Sequence, residues 1–178
     1  MDKRRLLKIA KGAGAANTAV IEVKDVPFEA ELRKACEQNT CRRFGASHTC
    51  PPACGGAREC IDRVRAYKFG LIMQTVHRLE DSFDFEGMTA AKDIHDKTFR
   101  AALNAVKAAY PRENLLPLSA GACTICEKCA YPKPCPHPVD ALSSIEAHCI
   151  YVNKMLDRVG LKYNNGEATV SYVGVIFF

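Results

Sequence analysis

Residues 67–76 read YKFGLIMQTV, a mostly apolar run of strand length whose polar residues fall near its two ends. A strand with one face in water alternates apolar and polar residues, whereas a near-continuous run needs cover on both faces. The stretch is therefore expected to lie centrally in a sheet with helices on either side. Its flanks supply them. Ala57 to Arg65 has helical character, and Thr89 to Tyr110 carries Ile94, Phe99, Leu103 and Val106 at intervals of three to five residues before Pro111 closes it.

Further strands and helices follow outward. Thr18 to Val23 is β-branched, Leu115 to Ser119 is short and apolar, and Ala168 to Phe178 is a β-rich ending expected to pair inside the sheet. Asp2 to Lys11 makes a basic helix ended by Gly12 and Gly14, and Phe28 to Cys36 places Phe28, Leu32 and Ala35 at helical spacing. Ser143 and Glu146 have capping-box spacing ahead of a helix with Ile145, Cys149, Val152 and Leu156 on one face, which Gly160 terminates. Strands alternating with helices define an α/β (α+β) single domain over residues 1–178, with a mixed sheet flanked by helices. Two cysteine-rich loops, 36–60 and 121–138, interrupt it without sharing a spacing, so no internal repeat is present.

Composition narrows the class. With 48% hydrophobic and 25% charged residues the chain reads as globular, and runs such as Phe69 to Met73 fall far short of a bilayer span. No membrane association is expected. Lys8 and Lys11 interrupt any secretory apolar segment, so a cytoplasmic location is expected, where ten cysteines point to metal rather than to disulfides. The formal charge of +5 counts every cysteine as neutral. Thiolates around two cubane clusters would each leave about two negative charges, bringing the total to roughly +1 and removing the charge argument for nucleic acid.

The later cysteine loop carries the sharper motif, Cys123-Thr-Ile-Cys126-Glu-Lys-Cys129, then five residues, then Cys135-Pro136. Two-residue gaps let one looping turn aim three thiolates at three corners of a cubane, and a cysteine held at a proline bend supplies the fourth. The final gap is longer than in bacterial ferredoxins, so Cys135 can serve this cluster or a neighbouring one. A structural zinc site held by four cysteines is the competing reading. In the earlier loop Cys36, Cys41 and Cys50 stand at gaps of four and eight residues, with Cys50-Pro51-Pro52 repeating the proline device. Cys60, at the start of the next helix, is favoured over Cys54 as the fourth ligand, since a helix N-terminus suits a negative cluster. Zinc competes here more strongly.

With both motifs placed, the chain resembles a family of small prokaryotic proteins described as predicted metal-binding proteins (domain-of-unknown-function family 2284). The resemblance rests on Cys36 to Pro52, a C-x4-C…C-P-P segment, and on Leu118 to Cys135, an L-S-A-G-x-C-x2-C-x2-C-x-Y-P-x-P-C segment. It implies metal binding and supplies no reaction. It also implies that Cys54 and Cys149 are the cysteines outside the shared pattern, which adds weight to Cys60.

The remaining polar residues read as ordinary. His48 and His137 are expected in solvated loops, His95 and His148 at helix surfaces or edges, and Asp81, Asp84 and Glu86 in a solvated acidic stretch. No phosphate loop, dinucleotide fingerprint or nucleophile elbow occurs. The metal ligands expected are thus Cys36, Cys41, Cys50, Cys60, Cys123, Cys126, Cys129 and Cys135. They point to one or two [4Fe-4S] clusters passing electrons to or from a redox protein partner, in a carrier rather than a catalyst. The alternatives are a zinc-stapled binding module and an enzyme with an open cluster iron.

Overall fold

The computed structural model describes all 178 residues. Asp2 caps the first helix, α1 (Lys3–Gly12), by accepting hydrogen bonds from the Arg4 and Arg5 amides, and the helix buries Leu6 and Ala10. Strand β1 (Asn17–Glu22) and a 3-10 turn at Val23–Asp25 follow, then helices α2 (Leu32–Glu37) and α3 (Ala57–Arg65). Strand β2 (Phe69–Arg78), the long helix α4 (Phe85–Ala109), and strands β3 (Leu116–Ser119) and β4 (Ser143–Ser144) come next. A 3-10 turn at Glu146–His148, helix α5 (Val152–Arg158) and strand β5 (Thr169–Phe177) complete the chain.

The five strands form one mixed sheet in the order β1-β2-β5-β3-β4. Every pairing is antiparallel except β3 with β4, which is parallel. The C-terminal strand holds the middle, and β2 lies beside it, interior and covered on both faces as its apolar run requires. Alternation sorts its residues. Leu71 and Met73 enter one core with Ile176, Leu6 and Ala10 of α1, and Phe99, Ala102, Leu103 and Val106 of α4. Ile72 enters the opposite core with Val64 of α3, Met155 and Leu156 of α5, and Val173, Val175 and Phe177. Gly174 lets α4 approach: a Cβ there would stand 2.4 Å from the ring of the fully buried Phe99.

Three expectations are corrected. The single helix read across 143–160 is broken into pieces, because the backbone of its first turn finds a sheet edge instead. Ser143 and Ser144 pair with Leu118 and Ser119, the Ile145 amide donates to the Ser119 carbonyl, and the chain then reverses through Cys149 at φ 59°. Pairing with β3 outweighs helix propensity there. The helix read from Phe28 begins only at Leu32, since Phe28 bridges to Ile150 and the Glu29 amide donates to the Cys149 carbonyl. Helix α4 starts four residues earlier than Thr89, because Asp84 caps it by accepting from the Gly87 amide at 2.7 Å.

The histidines differ too. His95 and His148 are each about 1% exposed, neither surface nor edge residues. His95 shares a 2.9 Å hydrogen bond with the Thr75 hydroxyl and stacks beside Phe99, so a tertiary partner on β2 turns its polar ring into a core residue.

Candidate metal centre

Both cysteine loops lie between regular elements. The earlier one joins α2 to α3, and the later one joins β3 to β4. Each contains a cis proline peptide, Pro51-Pro52 in the first and Tyr131-Pro132 in the second. Prolines deny regular elements to both segments, so their backbones are positioned by cross-links between the loops.

Those cross-links are specific. The Thr49 hydroxyl accepts from the Cys123 amide at 3.3 Å, and the Thr49 carbonyl accepts from the Ser143 hydroxyl at 2.7 Å. His48 Nε2 lies 2.8 Å from the Lys133 carbonyl, which can only accept, so Nε2 carries the proton. Its ring meets Tyr131 edge-on at 5.2 Å. His48 is therefore a half-buried strap between the loops rather than a solvated residue. Asp96 on α4 braces the later loop from beneath, accepting from the Ser119 and Thr124 hydroxyls at 3.3 Å each while paired with Lys92.

Cys123, Cys126, Cys129 and Cys135 all line one cavity, closed on its far side by Ser47, His48 and Thr49 of the earlier loop. Backbone donors aim at two of the sulfurs. The His137 amide donates to Cys135 Sγ at 3.4 Å, and the Tyr131 and His48 amides hold the Cys129 thiol below its usual range. A site that already donates hydrogen bonds to sulfur favours thiolate, the ligating form.

The earlier loop is organised in two parts. Burial pushes the Cys36 thiol up, Arg33 opposes this, and nearby Cys50 and Cys41 add to it. Burial likewise raises Cys50, against hydrogen bonds from Ser47 and Thr49. Cys60 is fully buried beside Cys54 and Arg33, and Cys54 in turn neighbours Cys50. The Cys54 thiol hydrogen-bonds Cys60, which together with Arg33 and Arg63 lowers Cys60 to about 6, while the same bond and burial push Cys54 up. Cys149, also buried, reaches Arg33 from the turn after β4. No three His, Cys, Asp or Glu side chains close around a point at single-ion distance.

Arg33 and His148 were not legible as site residues. Arg33 is 8% exposed, and His148, buried on the 3-10 turn, donates from Nδ1 to the Ser144 carbonyl at 3.1 Å and accepts from Arg63 at Nε2. A basic residue in the first turn of a short helix carries no sequence signal of burial.

The fold thus presents a cysteine-rich α+β domain whose two cysteine loops are tied to each other. The profile of the predicted metal-binding protein family DUF2284 matches residues 19–178, and the chain belongs to that family. No curated protein and no solved structure matches it. No helix is long and apolar enough to cross a membrane.

Proposed function

We propose that the chain is an iron–sulfur protein that holds two [4Fe-4S] clusters and passes single electrons to or from a protein partner. The observation that carries this reading is the cavity shared by Cys123, Cys126, Cys129 and Cys135. Three of these thiols follow one another at two-residue gaps in a single looping turn, a spacing that suits the corners of a polyatomic core better than the two separated cysteine pairs usual for a structural zinc. Amide donors from Tyr131, His48 and His137 favour the thiolate form and lower the cost of charge at the sulfurs. The first site takes Cys36, Cys41 and Cys50, with the fourth ligand from the Cys60–Cys54 pair.

The clusters, when bound, supply a one-electron couple. The protein's own contribution is to fix the ligand loops. His48 and Thr49 from one loop close the cavity of the other, so the two sites are mechanically joined. Ligand loops tied in this way limit reorganisation on electron transfer, which suits exchange of electrons with a redox protein partner.

Purification without oxygen, followed by iron and acid-labile sulfide assays, tests the reading. The expected result is a brown protein with about eight iron atoms per chain, as two cubane clusters require. Dithionite then produces an electron spin resonance signal. A colourless chain with stoichiometric zinc overturns the reading, and replacing Cys60 and Cys54 in turn identifies the fourth ligand of the first site.

A further inference from the structure

Arg33 is a buried cation without a carboxylate. Guanidinium stays protonated in proteins, and a buried charge must be paired or strongly hydrogen-bonded. Yet no acidic side chain lies within ion-pair distance of Arg33. Its Nη2 donates to the Ala147 carbonyl at 2.7 Å and to Cys60 Sγ at 3.1 Å, with Cys54 Sγ at 3.8 Å. Cys149 completes the sulfur surround, and Nε is buried with no partner at all. Neutral thiols are weak acceptors and cannot balance a guanidinium. Thiolates can, and metal ligation deprotonates thiols outright.

We propose that Arg33 is the fixed counter-cation of the first thiolate centre, stabilising negative charge at Cys60 and Cys54 and thereby setting both metal retention and reduction potential there. The placement follows from the fold. Arg33 precedes Cys36 by three residues on α2, so both project from one side of the helix, and the Ala147 carbonyl orients the guanidinium toward α3. The inference rests on the proposed metal centre and adds a positioning residue to it.

The test compares wild-type, Arg33→Met and Arg33→Lys chains, each purified without oxygen and assayed for iron, sulfide and zinc. Arg33→Met is expected to release metal from the first site to a chelator with about tenfold weaker retention or more, and Arg33→Lys to recover most of it by restoring the charge. Where iron is present, one of the two reduction potentials falls by about 59 mV or more in Arg33→Met, tenfold in the one-electron equilibrium, because the reduced state loses a nearby cation. The other potential stays put. The metal-free chains provide the readout a merely structural role would move differently: Arg33→Met should unfold at the same urea concentration as wild type or a higher one, since it removes an uncompensated buried charge. Unchanged retention and potentials overturn the inference, as does a metal-free Arg33→Met chain destabilised as much as the loaded one. Zinc in place of iron removes the electron-transfer reading alone, leaving the countercharge to be judged on zinc retention. A wild-type chain that holds neither metal overturns both.

Discussion

Acid should destabilise this fold through His95. Its ring is about 1% exposed, and burial, opposed by Asp96 and aided by smaller effects of Lys92 and His77, lowers its pKa from 6.5 to about 4. The unfolded chain therefore binds a proton that the folded chain refuses between those two values. Stability from this residue is complete above pH 6.5 and is lost as the pH falls toward 4. At 1.36 kcal/mol per pH unit the loss is about 3 kcal/mol, an order-of-magnitude value and a large part of the roughly 5–15 kcal/mol that holds a domain together. The comparison to make is wild type against His95→Asn, which keeps a polar atom where Nδ1 meets the Thr75 hydroxyl and removes the titration. Urea unfolding of both chains is followed from pH 7.5 to 4. Carboxylate effects and any acid lability of the metal sites are common to the two and cancel in the difference. Wild type should lose about 3 kcal/mol more than the variant across the window. Parallel curves would refute the argument, because they would mean that the folded chain protonates His95 as readily as the unfolded one.

Other outcomes follow from particular contacts. Gly174→Ala drives a methyl into the Phe99 ring, and chemical denaturation should show a loss of about 1–3 kcal/mol. Asp96→Asn replaces one acceptor oxygen beneath the later loop by a donor, so chelator should strip metal from Cys123–Cys135 several-fold faster, about tenfold at most, with global stability nearly unchanged; equal release rates would remove Asp96 from the account. His48→Ala deletes the bond to the Lys133 carbonyl and the edge contact with Tyr131, at a cost of about 1 kcal/mol. Hydrogen exchange should quicken at the amides of both cysteine loops together, because one residue ties them; quickening in the 36–60 loop alone would contradict that coupling.

Much of the architecture is written locally. The near-continuous apolar run at Phe69–Met73 demands cover on both faces, and the 3.6-residue periodicity around Phe99, Leu103 and Val106 demands a helix, so β2 and α4 follow from pattern alone. Prolines and glycines likewise mark the two irregular loops, and the two-residue cysteine gaps mark the later one as a candidate ligand turn. The order of the sheet does not follow from such local rules. That β5 takes the centre and β4 pairs in parallel with β3 depends on partners distant in the chain.

For the same reason the 143–160 segment misleads. Its capping pair and apolar spacing are those of a helix, but the open edge of β3 offers its backbone a better set of hydrogen bonds. The sequence by itself determined which residues are metal ligand candidates, since thiol spacing and proline bends are local properties of the chain. Only the tertiary structure decided what surrounds them: it folded His48 and Thr49 over the later loop, turned Cys60 toward Cys54, and buried Arg33 among sulfurs. A charge's burial and its partner are set by segments more than twenty residues apart, and no local pattern records them.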